Sequence, residues 1–260
     1  CQCLYVSGFR AGVERSFWLG SKRRYPGTFF DYYQLILEFE TVRSRRFGID
    51  HFAAVSLNPK EAEDTVLANE VIDGLDEYLS HARCVALGEI GFNLITPNEE
   101  AAFIRQLNIA KERDMVVIIH LPHTDKLRGT QRTVEIVRAA DMNPDRVIID
   151  HNTEETMAHS KASGCYCGMT VYPISKLTPQ RVSNIIRTFG SERMIVNGSA
   201  DWGVSDPLSL VKVVDFMSQD GHEHSTIENL VMRNAMAFYG QSENWKPELN
   251  LTPIDPHEFQ

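Results

Sequence analysis

The sequence predicts one α/β domain of repeated βα units, a barrel or a doubly wound sheet. Three observations predict it. Short apolar runs alternate with stretches of helical apolar spacing along the whole chain. The connections between them are a few residues long, with no linker and no break in composition. A length of 260 residues suits a single domain of this kind.

Residues 9–17 (F-R-A-G-V-E-R-S-F) read as a first strand, with Glu14 near its end. Residues 29–39 carry apolar side chains at 29, 33, 36 and 37, which is a helical spacing. Residues 51–57 form the next strand, closed by Asn58 and Pro59. Residues 66–79 put Leu67, Val71, Leu75 and Tyr78 on one helical face. A third strand, 84–93 (C-V-A-L-G-E-I-G-F-N), leads into Thr96-Pro97-Asn98-Glu99. That is a capping box with Pro at the first helical position, followed by Phe103, Leu107 and Ala110 on one face.

Residues 115–123 (M-V-V-I-I-H-L-P-H) hold five consecutive apolar residues, the mark of a strand buried on both faces. The run stops at His120, and Pro122 prevents an easy continuation. A helix is expected over 131–140, a strand over 147–152 (V-I-I-D-H-N), and a helix opening at Thr153. The strand 165–172 ends at Pro173, and Thr178-Pro179 opens a helix carrying Val182, Ile185 and Ile186. The strand 194–201 (M-I-V-N-G-S-A-D) precedes helices from Asp206-Pro207 and over 226–236. The domain is assigned to residues 1–240 and an irregular, Pro-bearing tail to 241–260.

Four of these strands end in metal-ligating types: Glu89, His120, His151 and Asp201. Two imidazoles and two carboxylates at the ends of separate strands suit a divalent cation such as Zn²⁺, Mn²⁺ or Mg²⁺. In barrels, function gathers at those strand ends. The patterns G-x-G-x-x-G, G-x-x-x-x-G-K-[ST] and G-x-S-x-G are all absent, which argues against nucleotide-binding and serine-hydrolase classes. A formal charge of −9 argues against a broad nucleic-acid surface. It leaves room for a small phosphate ester bound through metal ions, which bring their own positive charge. No apolar run approaches the ~20 residues needed to cross a bilayer. An odd count of five cysteines, with Cys84 in a buried strand, points to free thiols and a cytoplasmic setting. Cys165 and Cys167 are expected to be two buried thiols.

The strand ends resemble those of the TatD-related metal-dependent hydrolases, a branch of the amidohydrolase-like barrels. The likeness rests on G-E-I-G at 88–91, I-H at 119–120, D-H at 150–151 and Ala200-Asp201, with N-A-M-A-F-Y-G at 234–240 as a closing helix. It extends from about residue 9 to 240. S-F-W-L-G (16–20), L-N-P-K-E (57–61), T-P-N-E-E (96–100) and S-A-D-W-G (199–203) are similar to a divergent subgroup found beside bacterial secondary-metabolite genes. The resemblance implies a TIM-like barrel and hydrolysis of an ester, phosphoesters among them, on one or two divalent ions per chain. Glu89 would bridge two ions, His120 and His151 would hold one, and Asp201 would bind the other and take a proton from the attacking water. TatD proteins proper imply a 3′-to-5′ deoxyribonuclease, which the acidic charge disfavours here. A small-molecule substrate is the expected partner.

The family's first strand should end in H-x-H, and none precedes residue 9. Seven strands are countable where a closed barrel has eight. Both shortfalls are met by one expectation, that the first strand lies outside this chain and the barrel is open there. A non-catalytic barrel with a degenerate site is the alternative. His123, Asn152, Trp202 and Glu14 are the remaining candidates for substrate contact or for orienting the ligands. Glu14 could instead pair with Arg10 or Arg15, and His51 is expected at the surface or in a turn.

Overall fold

The computed structural model describes residues 1–199 and 203–254. Its strands are β1 (Ala11–Arg15), β2 (Asp50–Val55), β3 (Cys84–Gly91), β4 (Val117–His120), β5 (Val147–Asp150), β6 (Tyr166–Val171) and β7 (Met194–Gly198). Each pairs in parallel with the next in sequence, giving one sheet in the order β1 to β7. Arg15 at the end of β1 donates to Asn197 of β7 at 3.2 Å, so the two edges face one another and the sheet is curled. No pairing joins β1 to β7 among the described residues. The architecture is the TIM-like barrel, open at one position, as the seven-strand count predicts.

The two-residue period of a strand sorts the side chains into layers. Val13, Ala54, Ala86, Ile118, Ile148, Tyr166 and Ile195 point into the barrel, where they meet Phe238 from the closing helix. Their neighbours, among them Ala53, Val55, Leu87, Val117, Ile119, Val147 and Ile149, point out and pack under the helices. Burial on both faces is why these strands read as unbroken apolar runs. Cys165 and Cys167 are buried free thiols within those outer layers.

The helices depart from their predicted bounds for local reasons. The segment predicted over 66–79 is two helices, Thr65–Asp73 and Leu75–Leu79, divided at Gly74, a poor helix former. The helix predicted over 131–140 spans Lys126–Ala139. Its first turn buries Gly129 and Thr130, so no apolar spacing announces it. The helix expected from Thr153 begins at Met157, after a turn in which the Thr156 hydroxyl accepts the Thr153 N–H at 3.0 Å. The last helix is longer than 226–236, running through His224–Glu228, Asn229–Arg233 and Asn234–Tyr239 with a π-type middle.

The capping box at Thr96 forms with one difference. The Thr96 hydroxyl accepts the Glu99 N–H at 3.2 Å, and Pro97 opens the helix Pro97–Glu112. The Glu99 carboxylate turns to the preceding loop and accepts the N–H groups of Asn93 (2.9 Å), Leu94 (2.9 Å) and Ile95 (2.8 Å). Glu99 is 1% exposed. It therefore anchors the loop that leaves the Glu89 strand. Replacing Glu99 with Ala should destabilise the fold by about 3 kcal/mol, because several donors lose a charged acceptor together. Urea denaturation checks this; a loss under ~1 kcal/mol would mean water replaces the carboxylate freely.

Candidate metal centre

The layer above the apolar interior is polar, and the same alternation builds it. Two residues beyond Val13, Ile118, Ile148, Gly168 and Ile195 stand Arg15, His120, Asp150, Thr170 and Asn197, all turned inward at the strand ends. Glu89 would face outward by this count. A register shift between Gly88 and Ile90 inserts one residue in β3 and turns it in. The flanking glycines explain the G-E-I-G pattern. A Cβ at Gly88 would lie 2.7 Å from that of Ile118, and Gly91 has φ +123° with its hydrogen facing the His120 carbonyl. His151 follows β5 at φ +67°, and its N–H bonds the Asp150 carboxylate at 2.7 Å, which holds the turn that brings the ring inward.

Glu89, His120 and His151 each offer a ligand atom, and these atoms lie within 4.8 Å of one another. All three residues are buried. Glu89 Oε1 is 3.1 Å from His151 Nε2, and Oε2 is 3.3 Å from His120 Nδ1. Neither ring nitrogen of His120 has a hydrogen-bond partner among the described residues. Buried polar atoms are rarely left so, and an imidazole beside a second imidazole and a carboxylate is the donor set of a divalent metal. The residues present therefore fit a metal ion.

The protonation pattern agrees. The Thr170 hydroxyl donates to Asn197 Oδ1 at 2.6 Å, so it receives the Nδ1–H of His151 at 2.7 Å. Nε2 is left with a lone pair facing Glu89. Burial, followed by Lys176, lowers the His151 pKa to about 3, which keeps the ring neutral and able to ligate. Burial alone would raise the pKa of Glu89, but Arg15 and then His120 and His151 outweigh it and hold the carboxylate ionised.

The other sequence candidates fall elsewhere. Glu14 has the opposite strand parity to Arg15, so it points away from the centre and pairs with His51 at 3.1 Å, not with Arg10 or Arg15. His51 is consequently buried in β2, where a surface or turn residue was expected. Asn152 is 1% exposed and donates to the carbonyls of Ile149 (2.7 Å) and Gly168 (3.2 Å). Its carbonyl accepts from Ser160 at 2.6 Å, so it staples the turn after β5. His123 stands at the rim, its ring centroid 6.1 Å from that of His120. Asp201 and Trp202 lie outside the described residues. Arg15, Thr170 and Asn197 were not singled out from sequence; counting strand parity back from the apolar interior would have found them.

Residues 33–239 match the model of the TatD related DNase family. The chain belongs to that family. It is 27% identical over 216 residues to an uncharacterized metal-dependent hydrolase of Methanocaldococcus jannaschii, covering 82% of this chain and 84% of that one. The crystal structure of a TatD-like protein from Archaeoglobus fulgidus is similar at 27% identity and a TM-score of 0.73, over 92% of this chain and 93% of that one. The TatD homologue YjjV of Escherichia coli shares the fold at 15% identity and a TM-score of 0.63, covering 90% and 88%. This TatD-family chain is a metal-dependent hydrolase, with Glu89, His120 and His151 as its candidate metal-binding triad. No helix among the described residues is long and apolar enough to cross a membrane.

Proposed function

We propose that the protein hydrolyses a small anionic ester, a phosphoester being the best-suited class, with water activated at a divalent ion held by Glu89, His120 and His151. The observation that carries this reading is a set of cations gathered beside those ligands in a chain of net charge −9. Lys126 Nζ donates to the His151 carbonyl at 3.0 Å. Lys176 Nζ lies 3.2 and 3.4 Å from the two ring nitrogens of His151. Burial and then the nearby Lys176 lower the Lys126 pKa to about 8. Burial, Lys176 and His120 lower that of His123. Cations held together against their mutual repulsion favour an anion between them.

When bound, the ion supplies Lewis acidity and lowers the pKa of a coordinated water. Glu89 contributes its charge and His120 and His151 their lone pairs, while Thr170 keeps the His151 ring in the ligating tautomer. Asp201 is assigned the proton of the attacking water, and His123 and Trp202 are assigned to flank the substrate. The family's description favours a DNA phosphodiester as the second reading, but the lysines named here suit one phosphate, not a track of them.

The metal-loaded protein should cleave p-nitrophenyl phosphate or its diester in preference to p-nitrophenyl acetate and to a single-stranded oligonucleotide. Replacing Lys126 with Ala should raise KM about tenfold for the anionic ester, the worth of one charge-assisted contact, and leave the neutral ester near its original value. Preference for the neutral ester, or equal effects on both, would contradict the proposal. Hydrolysis of the oligonucleotide alone would establish the second reading.

A further inference from the structure

Arg15 reaches the centre from the end of β1. Its guanidinium donates to Glu89 Oε1 at 3.1 Å, to Asp150 Oδ2, and to Asn197 Oδ1 at 3.2 Å. Asp150 is fully buried. It also accepts from the His151 N–H (2.7 Å) and from Asn197 Nδ2 (3.0 and 3.2 Å), with the Thr170 hydroxyl 3.4 Å from its Oδ1. The Thr170 hydroxyl also donates to Asn197 Oδ1. One guanidinium thus ties together oxygens from β3, β5 and β7 across the barrel, and it never loses its charge.

Two regions of this layer could take a cation. One is the Glu89, His120 and His151 cluster, where neither His120 ring nitrogen has a hydrogen-bond partner among the described residues. The other lies between Glu89, Asp150 and Asn197, whose oxygens are the donor types that suit Mg²⁺ or Mn²⁺. The guanidinium fills that second region. A divalent ion there would have to expel it from two carboxylates and leave it beside a double charge in a buried layer. Among the described residues, no further carboxylate reaches Arg15 to offset that arrangement.

We infer that Arg15 is a built-in cation in place of a second metal ion, and that it restricts the centre to one divalent ion per chain. This inference rests on the metal-binding reading above. Asp150 and Asn197 then act as the holders of a guanidinium, and Arg15 sets how many ions the site accepts.

The test uses the full chain, freed of metal by chelator dialysis and titrated with Mn²⁺. Metal analysis and electron paramagnetic resonance are read on wild type, Arg15→Lys and Arg15→Gln. Wild type should hold one equivalent with the spectrum of an isolated Mn²⁺. Arg15→Lys, which keeps the charge, should do the same. Arg15→Gln should accept a second equivalent at least about tenfold more tightly than wild type does and show a spin-coupled pair. Two coupled ions in wild type would overturn the inference, and this outcome needs no variant to fold. An Arg15→Gln protein that still takes one ion, with wild-type affinity for a second, would overturn it as well. No ion at all in wild type, with His120→Ala indistinguishable from it, would remove the metal-binding reading and the inference with it.

Discussion

Replacing His120 with Ala should weaken metal binding by more than about 100-fold while leaving the metal-free fold as stable as before. Loss of a group that merely orients a ligand already costs 10- to 100-fold in affinity, and loss of the ligand itself should exceed that. The fold draws no hydrogen bond from this ring, since neither nitrogen has a hydrogen-bond partner among the described residues. Removing a buried group with unmet polar atoms returns part of its desolvation cost, so the melting temperature of the metal-free variant should match or pass that of wild type. His151 differs, because its ring bonds the Thr170 hydroxyl at 2.7 Å. Its replacement by Ala should therefore lose metal and stability together. Competition with a chromophoric chelator and thermal melts of the metal-free proteins separate the two effects. Unchanged metal affinity in both variants would contradict the assigned centre.

Phe238→Ala should destabilise the fold by about 3–5 kcal/mol, the range for emptying a buried aromatic site. Phe238 is fully buried and carries its ring from the closing helix into the barrel interior, beside Ala54, Ala86, Ile118, Ile148 and Ile195, with Tyr239 packed against the same cluster. It also packs edge-on to Tyr166 and Tyr239, each 5.2 Å away between ring centroids. Small alanines on β2 and β3 leave the space that this ring fills. The helix is pinned by Asn234, whose amide donates to the carbonyls of Ser191 (2.8 Å) and Met194 (2.7 Å) at the start of β7. With its anchor in place, the helix cannot slide to close the cavity, which favours the upper part of the range. A chain of this size should melt on the order of 10 °C lower. Val66→Ala, at an exposed position, is the control and should change stability by less than about 0.5 kcal/mol. A Phe238→Ala loss no larger than the control would show that the interior collapses around the ring's absence.

These two residues also mark what could be read before the structure. His120 was legible because a basic residue ending a fully apolar run is conspicuous, and the same holds for His151 and for Glu89 between its glycines. The closing N-A-M-A-F-Y-G was legible only as a likeness. Its Asn and Phe gain their meaning from β7 and the barrel interior, which are brought to it by the chain's path.

Seven strands were written in the sequence, most of them as the apolar runs that burial on both faces demands, but their order was not, since the same pattern suits a barrel or a doubly wound sheet. The three residues of the candidate metal triad, Glu89, His120 and His151, were written there too. The tertiary structure alone decided which residues face one another. Glu14 and Arg15 are adjacent in sequence and similar in polarity, yet strand parity sends one outward to His51 and the other inward to Asp150. A bulge reverses the same rule at Glu89, and a left-handed turn does so at His151. Such reversals depend on backbone pairing between strands far apart in sequence, which one strand's own pattern does not record. The guanidinium at the heart of the centre is for that reason a product of the assembled barrel, while the ligands around it were visible one strand at a time.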